Sequence, residues 1–326
     1  MLEVDHLSVE FAASSGVVHA VRDVSYSIGR GETLAILGES GSGKSVSAQA
    51  VMGILDSPPA RITGGAIRLD GEDLLQLPEA RRRRLRGAGV SMVFQDALTA
   101  LNPVFPVGWQ IAEMFRVHRG VRRAEAHRRA VQLLDRVGIP RAADRAADYP
   151  HQFSGGMRQR VMIAMALALD PQVLIADEPT TALDVTVQLQ IMTLLKDLQA
   201  ERSMALVLIT HDLGVVGHVA DRVAVMYAGS IVETGPTRSV LSNPAHPYTK
   251  GLMRSVPTAS AKGARLEPIA GSPPDLARIP SGCAFHPRCP RAEAVCKERT
   301  PMLTTVAGAR HSACHFAEEV LHARTP

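Results

Sequence analysis

The chain has 326 residues and a composition ordinary for a soluble globular protein, with 46% hydrophobic and 21% charged residues. Its formal net charge of +4 is too small to indicate nucleic-acid binding by itself, although it suits contact with acidic surfaces or phosphates. The most apolar run, Val161–Leu169, falls well short of the roughly 20 residues that a membrane-spanning helix needs. We therefore expect a cytoplasmic chain whose role at any membrane depends on partner subunits.

The first predicted elements are strands. Leu2–Phe11 and Val24–Ile28 alternate apolar and polar residues, which predicts antiparallel strands of a half-exposed sheet. Thr33–Leu37 is a nearly all-apolar run that ends in a glycine-rich turn, and a helix is predicted over Gly43–Leu55. Met92–Phe94 is predicted as another buried strand.

Helices with arginine-rich faces are predicted from Ala97 to about Ala168, where β-branched runs are few. Strands return at Val173–Ala176 and Ala205–Ile209, with a long helix near Val185–Arg202 separating them. Strands that alternate with helices predict a parallel α/β sheet, and the N-terminal strands predict an antiparallel edge.

A hairpin and a change of composition mark the last third of the chain. Arg222–Tyr227 and Ser230–Thr234 are predicted to pair around Ala228-Gly229. After about Pro236 the chain becomes rich in Pro, Gly and Arg and then in Cys and His. We interpret this part as a separate C-terminal region.

A phosphate-binding pattern follows the strand Thr33–Leu37. The sequence Gly38-Glu39-Ser40-Gly41-Ser42-Gly43-Lys44-Ser45 fits the P-loop pattern G-x-x-x-x-G-K-[ST] between a strand and a helix. Lys44 is expected to bridge the β- and γ-phosphates, and Ser45 to ligate Mg²⁺. A glycine-rich turn without a ligand is the alternative, which the complete match disfavours. The candidate nucleotide-binding residues are Gly38, Ser40, Gly41, Ser42, Gly43, Lys44 and Ser45.

Two acids follow the apolar run Val173–Ala176. Asp177 is expected at the carboxyl edge of the sheet, where it can hold Mg²⁺ through water. Glu178 lies one residue further, where a carboxylate can orient and deprotonate an attacking water. A solvated strand end is the alternative. Among the reactions of P-loop proteins, the two adjacent acids favour ATP hydrolysis in which a carboxylate is the general base.

The segment that identifies a family is Phe153-Ser154-Gly155-Gly156-Met157-Arg158-Gln159-Arg160, which resembles the L-S-G-G-Q signature of ATP-binding-cassette (ABC) ATPases. It precedes the apolar helix Val161–Leu169, so the serine and the glycine N–H groups are expected to cap that helix. The resemblance implies that Ser154, Gly155 and Gly156 face the γ-phosphate of ATP bound by a second subunit. Phe153 and Met157 depart from the commonest Leu and Gln without replacing the capping residues.

The resemblance assigns further residues in the expected order. Gln95 matches the glutamine that senses Mg²⁺ and water, and Asp184 matches the aspartate of the dimer-contact loop. His211 matches the histidine that holds the γ-phosphate and its attacking water. Phe11 is the candidate for the aromatic ring that stacks on adenine, although core packing explains it equally well.

The family implies a P-loop NTPase fold of the α/β class with an antiparallel β edge. We expect an ATP-binding core over residues 1–96 and 170–235, a helical signature subdomain over 97–169, and a C-terminal extension over 236–326.

Two further segments resemble one branch of the family, the ATPases of dipeptide and oligopeptide importers. Gln95–Pro103 resembles the segment after the glutamine in that branch, and Asn243–Lys250 resembles the start of its C-terminal extension. Phe105 and Trp109 either line a groove for the membrane subunit or belong to the subdomain core. Nickel and other small solutes are alternative cargoes, and a soluble ABC ATPase acting on nucleic acid is the second hypothesis.

The branch implies the partners and the location. We expect a second ABC ATPase subunit, in a homodimer or heterodimer, together with two membrane permease subunits and an extracytoplasmic substrate-binding protein. The chain is then peripheral, at the cytoplasmic face of the inner membrane, and no nucleic acid is expected. The charge run Arg81-Arg82-Arg83-Arg84 lacks interleaved aromatic residues and is interpreted as a solvated helix face or one near anionic headgroups.

Four cysteines, Cys283, Cys289, Cys296 and Cys314, lie close together in the sequence with the spacing C-x₅-C-x₆-C-x₁₇-C. Such a group in a cytosolic chain suggests a metal site before disulfides. The spacing is looser than that of zinc ribbons, and four thiolates can also hold an iron–sulfur cluster. Similar sets in peptide-importer ATPases imply a [4Fe–4S] cluster, while Zn²⁺, with His286, His311 or His315 as substitute ligands, and reduced thiols are the alternatives.

Overall fold

The computed structural model describes residues 1–14, 16–181, 183–255 and 268–322. The chain divides into two compact units. The first contains Met1–Ile28, Thr33–Leu75 and Thr210–Pro326, and the second contains Gly29–Glu32 and Gln76–Ile209. The three-part division expected from the sequence remains a prediction.

Strands and helices alternate along most of the described chain. The strands are β1 Leu2–Ala13, β2 Gly16–Ile28, β3 Thr33–Leu37, β4 Ala60–Leu69, β5 Glu72–Asp73, β6 Val90–Val93, β7 Val173–Asp177, β8 Ala205–Ile209, β9 Arg222–Tyr227, β10 Ser230–Pro236, β11 Thr304–Ala307 and β12 Arg310–Ser312. The α-helices are α1 Lys44–Met52, α2 Glu79–Leu85, α3 Ala97–Ala100, α4 Val107–Arg119, α5 Arg123–Arg136, α6 Ala142–Arg145, α7 Gly155–Leu167, α8 Val185–Arg202, α9 Leu213–Val219, α10 Thr237–Ser242, α11 Pro247–Arg254, α12 Ala294–Glu298 and α13 Ala317–His322. Short 3₁₀ helices lie at Pro150–Gln152 and His286–Arg288.

The N-terminal strands of the first unit form an antiparallel sheet in the order β2-β1-β4-β5. Leu2 of β1 lies opposite Ile28 of β2 and Leu69 of β4, and all three are buried. Apolar residues alternate with polar ones along β1, as one buried and one exposed face require. The predicted antiparallel strands are therefore confirmed, and both extend further than expected.

A second set of strands in the first unit has the order β11-β12-β10-β9-β3. β3 is parallel to β9, and β9 is antiparallel to β10. The predicted hairpin is confirmed, since Ala228 (φ 48°) and Gly229 (φ 82°) connect β9 to β10 with the two positive φ angles of a type I′ turn. β12 pairs with β10, so strands from the C-terminal extension continue this sheet.

The second unit contains three parallel strands in the order β8-β7-β6. Every residue of these strands is buried, which accounts for their largely apolar sequences. Helices α3 to α7 lie between β6 and β7 along the chain, which confirms the helices predicted from Ala97 to about Ala168. α8 has the predicted bounds.

The C-terminal extension contributes to the hydrophobic core of the first unit. Tyr248 is 0% exposed and Phe285 is 2% exposed, and both pack with Leu37, Val225 and Tyr227. The rings of Tyr227 and Tyr248 lie 4.5 Å apart between centroids. The extension is therefore part of this core, because Tyr248 and Phe285 are buried against β3 and β9.

A buried ion pair attaches the extension to β10. Glu233 is 0% exposed, and its carboxylate accepts hydrogen bonds from the backbone N–H groups of Ala245 (2.7 Å) and His246 (3.0 Å). Arg310 of β12 donates to the same carboxylate over 3.1 Å. The Asn243–Lys250 segment is thereby held on the strand that precedes it.

Candidate functional site

The predicted site residues fall into two groups. The first unit contains Phe11, the P-loop Gly38–Ser45 and His211; the second contains Gln95, the signature Ser154–Gly156, Asp177, Glu178 and Asp184. The structure brings residues together within each group as follows.

Two glycines of the P-loop occupy positions that no other residue fits. Gly38 has φ 153°, and a Cβ atom there would lie 2.3 Å from the backbone oxygen of Met226. Gly43 has φ 99°, and its Cβ would lie 2.3 Å from the backbone oxygen of Ala20. Positive φ angles of this size strain residues with a side chain, and contacts so close require backbone movement. The glycine pattern is therefore a structural requirement of this loop.

Lys44 begins helix α1 and is folded over the loop. Its Nζ donates to the carbonyl oxygens of Gly38 and Glu39, both at 2.9 Å, and contacts Ser42 Oγ at 3.4 Å. The side chain is buried, with the residue 6% exposed. The ammonium group and the N-terminus of α1 thus place positive charge on the concave side of the loop, where an anion binds favourably.

Glu178 follows β7 with its side chain held on two sides. Its Oε2 accepts hydrogen bonds from Gln95 Nε2 (2.9 Å) and Thr181 Oγ1 (2.8 Å). Its backbone has φ 46°, and its N–H donates to the carbonyl oxygen of Ile209 over 2.8 Å. Asp177, one residue earlier, is 4% exposed at the strand end. Thr181 was not predicted from the sequence, where the only signal is a hydroxyl group three residues after Glu178.

The signature serine caps a helix, as predicted. Ser154 Oγ accepts from the backbone N–H of Met157 at 3.4 Å, and α7 begins at Gly155. The helix therefore starts earlier than the expected Val161. Gly156 lies against α8, since a Cβ there would lie 2.7 Å from Val187 Cγ1. Asp184 caps α8 by accepting from the N–H of Val187 at 3.0 Å, so the two predicted dimer-contact segments are neighbours in this unit.

His211 and Phe11 are the remaining candidate site residues of the first unit. His211 is exposed, and the next residue, Asp212, caps α9 by accepting from the N–H of Gly214 at 2.9 Å. Phe11 is half-buried on β1, opposite Val18 of β2. These positions leave the predicted roles of both residues untested.

An exposed aromatic pair lies in the helical part of the second unit. The rings of Phe105 and Trp109 are stacked with centroids 4.3 Å apart, and each residue is 38% exposed. Val104 and Leu98 nearby in the sequence are 68% and 59% exposed. Large apolar side chains that remain accessible in this way are typical of a contact surface.

The arginine run lies on helix α2, none of whose residues is buried. Arg82 pairs with Glu79 at 3.1 Å, while Arg81, Arg83 and Arg84 are exposed. This exposure agrees with both predicted alternatives, a solvated helix face and one near anionic headgroups. Among the residues that the structure describes, no helix has both the length and the apolar character needed to cross a membrane.

The four cysteines line one cavity of the first unit. The side chains around this cavity include Cys283, Cys289, Cys296 and Cys314 together with His246, His286 and His315. His311 lies on β12 opposite Thr234 and Thr305 and is absent from this lining. Within the described part of the chain, no three potential ligands are arranged closely enough to form a metal site.

All four thiols are unpaired in the structure. Burial raises the pKa of Cys283 and Cys289, and it raises the pKa of Cys314 to about 11, with smaller contributions from the neighbouring thiolates. The thiols of Cys283, Cys289 and Cys314 are consequently protonated at neutral pH unless a cation replaces their protons. As donors, four thiols around one cavity suit Fe or Zn, although the structure does not hold them at ligand spacing.

The fold agrees with comparisons to known proteins. Residues 21–181 match the family model described as ABC transporter, and residues 232–296 match oligopeptide/dipeptide transporter, C-terminal region. The chain is 50% identical to the dipeptide transport ATP-binding protein DppD of Bacillus subtilis, over 92% of this chain and 90% of the relative. It is also 50% identical to the oligopeptide transport ATP-binding protein OppD of Salmonella typhimurium, over 98% of this chain and 95% of the relative.

Solved structures give the same result. The dimeric post-hydrolysis state of the ATP-binding cassette MJ0796, bound to ADP and Pi, is similar with a TM-score of 0.66 and 28% identity, covering 73% of this chain and 99% of that chain. The cbiO1 subunit from Clostridium perfringens, part of the ABC transporter complex cbiONQ, has a TM-score of 0.62 and 31% identity over 74% of this chain and 90% of that chain. The predicted P-loop fold is confirmed, and the chain belongs to the ABC transporter family as an ATP-binding subunit with the C-terminal region of oligopeptide and dipeptide transporters.

Proposed function

We propose that this chain hydrolyses ATP to power the import of dipeptides or oligopeptides across the cytoplasmic membrane. The observation that carries the proposal is the match of residues 232–296 to the oligopeptide/dipeptide transporter C-terminal region, in a chain with a complete P-loop. Relatives that are named for dipeptide and oligopeptide transport share half of their residues with this chain over almost its whole length.

On the first unit, the P-loop binds the phosphates of ATP. The N–H groups around Gly41 and Gly43 surround the phosphate oxygens, and Lys44 exchanges its loop carbonyl partners for the β- and γ-phosphates. Ser45 ligates the Mg²⁺ that accompanies ATP. His211 contacts the γ-phosphate and the attacking water, and Phe11 stacks on adenine. Gly38, Ser40 and Ser42 of the loop complete the phosphate contacts.

On the second unit, Glu178 is the general base. It accepts the proton of the attacking water as the new O–P bond forms at the γ-phosphorus and the bond to ADP breaks, releasing ADP and phosphate. Gln95 and Thr181, which donate to Glu178 Oε2, fix the carboxylate toward that water. Gln95 and Asp177 would also help to hold Mg²⁺, which would neutralise charge on the phosphates.

A second ATPase subunit completes each ATP site. The capped N-terminus of α7, with Ser154, Gly155 and Gly156, contacts the γ-phosphate on the partner, and Asp184 lies at the dimer contact. Support comes from the similar cassette MJ0796, whose ADP-bound structure is dimeric. ATP favours the closed dimer over the open one, and hydrolysis removes that preference.

The remaining partners are two permease subunits and an extracytoplasmic substrate-binding protein, with the chain peripheral at the cytoplasmic face of the inner membrane. The stacked and exposed Phe105–Trp109 pair supports this arrangement, because an apolar patch of this kind suits a short helix of a membrane subunit.

We further propose that Cys283, Cys289, Cys296 and Cys314 hold a [4Fe–4S] cluster, with Zn²⁺ as the alternative. Their shared cavity supports this assignment, and metal binding would draw the thiols together and displace their protons. The bound group would supply a structural crosslink. Anaerobic purification with iron, sulfide and zinc assays tests the proposal, and protein free of all of them would contradict it.

Transport in reconstituted vesicles tests the function. The chain, its partner ATPase, the permeases and the receptor are placed in proteoliposomes with ATP on the nucleotide-accessible side. We expect ATP-dependent uptake of labelled dipeptides or oligopeptides, and none with Glu178→Gln. Uptake of Ni²⁺ in place of peptides would contradict the peptide assignment while leaving the ATPase assignment intact.

A further inference from the structure

The C-terminal extension holds the second residue of the P-loop. Arg288 donates two parallel hydrogen bonds to the carboxylate of Glu39, from Nη1 to Oε2 at 2.7 Å and from Nη2 to Oε1 at 3.0 Å. The hydroxyl oxygen of Tyr248 accepts from the backbone N–H of Glu39 at 2.9 Å. Both partners of Glu39 lie more than 200 residues away in the sequence, as the separations of 249 and 209 show.

Arg288 is a preorganised donor and differs from a mobile surface arginine. Its side chain is 5% exposed, and its Nε donates to the carbonyl oxygen of Ala270 over 3.0 Å. The guanidinium lies over the rings of Tyr227 and Phe285, at 5.8 and 5.9 Å from their centroids. A bidentate and largely buried contact of this kind is stronger and better oriented than an exposed ion pair.

Glu39 connects this contact to the phosphate-binding lysine. Its carbonyl oxygen accepts from Lys44 Nζ at 2.9 Å and from the N–H of Ser42 at 3.2 Å. The backbone N–H, the carbonyl and the carboxylate of Glu39 are thus all engaged. A displacement of Glu39 would therefore reach Lys44 directly.

The negative charge of Glu39 connects the Arg288–Glu39 ion pair to the affinity of the loop for nucleotide. A carboxylate on the loop that receives a triphosphate repels it, because like charges closer than roughly 8–10 Å interact strongly at physiological salt. The guanidinium of Arg288 both neutralises that charge and orients the carboxylate toward the extension.

We propose that Arg288 is a positioning residue for ATP binding, which neutralises Glu39 and holds the P-loop in the shape that receives the phosphates. The proposal rests on the assignment of Gly38–Ser45 as the ATP site. It gives the C-terminal extension a role in nucleotide affinity. Arg288 lies between Cys283 and Cys289 in the sequence, so the loop that carries the two cysteines also supports the P-loop.

Equilibrium binding of Mg-ATP to the full-length chain tests the proposal through a double-mutant cycle. We expect Arg288→Ala to raise the Kd about tenfold or more, equivalent to about 1.4 kcal/mol or more. Arg288→Lys keeps the positive charge but loses the two parallel hydrogen bonds, so its Kd should lie between those of wild type and Arg288→Ala. Adding Glu39→Gln to Arg288→Ala should restore most of the lost affinity, since the repelling charge is removed.

Three comparisons make the outcome decisive. Arg291→Ala, at an exposed position of the same extension, is the matched control and should bind ATP within about twofold of wild type. In turnover assays of the assembled transporter, Arg288→Ala should raise the KM for ATP while kcat at saturation is retained. Lys44→Ala tests the ATP site itself, since unchanged binding there would overturn the site assignment.

The proposal would be overturned if Lys44→Ala weakens binding and Arg288→Ala does not. It would also be overturned if the Arg288→Ala, Glu39→Gln double variant binds as weakly as Arg288→Ala alone. Should Arg288→Ala fold poorly, Arg288→Gln decides, because it removes the cation and keeps a polar side chain. It should also raise the Kd for Mg-ATP about tenfold, and binding at the wild-type affinity would contradict the proposal.

Discussion

The guanidinium of Arg310 donates to the carboxylate of Glu233 over 3.1 Å, and neither residue reaches solvent to more than a small extent. Burial raises the pKa of Glu233, so the ionised carboxylate depends on Arg310 and on the N–H groups of Ala245 and His246. The pair joins β12 and the start of the extension to β10. Breaking this ion pair should therefore weaken the attachment of the extension to β10.

We expect Arg310→Met to lower the free energy of unfolding by about 3 kcal/mol, because it leaves a buried carboxylate without its cation. Adding Glu233→Gln should recover part of the loss. Urea unfolding of the purified chain measures both. Arg68→Met is the matched control, since the Arg68–Asp5 pair is exposed and should contribute less than about 1 kcal/mol. Equal losses from the two single variants would contradict the account.

The buried ring of His246 predicts acid sensitivity. Burial lowers the pKa of His246 from 6.5 to about 4, and its Nδ1 accepts from the N–H of Tyr248 at 3.1 Å. Between these pH values the unfolded chain binds a proton that the folded chain does not, so stability falls as the pH is lowered. We expect a contribution of up to about 1.4 kcal/mol per pH unit in that window.

Unfolding midpoints between pH 7 and pH 4 measure this contribution. His246→Asn, whose amide oxygen can accept the same hydrogen bond without titrating, should flatten the pH dependence. A variant with the same slope as wild type would show that His246 is not the group responsible.

The close contact of Gly156 predicts a size-dependent effect. A Cβ at Gly156 would lie 2.7 Å from Val187 Cγ1, whereas one at Gly155 would lie 3.7 Å from Leu183 Cδ2, an ordinary distance. Gly156→Ala should therefore weaken ATP-dependent dimerisation. The β-branched side chain of Val187 has one strongly preferred χ1 rotamer in a helix, so it cannot easily relieve the clash with a Cβ atom at position 156. Val187→Ala should restore dimerisation. Analytical ultracentrifugation with ATP measures the effect. Any loss caused by Gly155→Ala should not be restored by Val187→Ala, because Gly155 does not face Val187.

The hydroxyl of Thr181 predicts a change in turnover without a change in binding. It donates to Glu178 Oε2 at 2.8 Å. Thr181→Val should lower kcat about 10-fold or less while Thr181→Ser stays near wild type, because Gln95 still orients the carboxylate. A rise in KM with unchanged kcat would place Thr181 in binding instead.

Elements with strong local patterns were predictable from the sequence. Thr33–Leu37 and Ala205–Ile209 have their predicted bounds because each is a short and almost entirely apolar run. α8 was equally predictable, since Asp184 caps its start. The P-loop and signature residues were found from motifs whose chemistry depends on adjacent residues.

Contacts between distant parts of the chain were not predictable. Nothing near Glu39 indicates that Arg288 pairs with it, because the sheet of the first unit determines their approach. The aromatic residues Tyr248 and Phe285 lie in a segment rich in Pro and Gly, so their burial against β9 could not be inferred from local pattern. Thr181 was missed for a related reason, since its role depends on the left-handed backbone of Glu178.

The assignment of Glu178 as the base is the central claim, and single-turnover ATP hydrolysis by Glu178→Gln tests it most directly. We expect ATP binding to persist, the ATP-bound dimer to accumulate, and hydrolysis to fall about 10²–10⁴-fold, because the amide cannot accept the proton of the attacking water. Lys44→Ala should instead lose nucleotide affinity. Hydrolysis by Glu178→Gln at the wild-type rate would contradict the account.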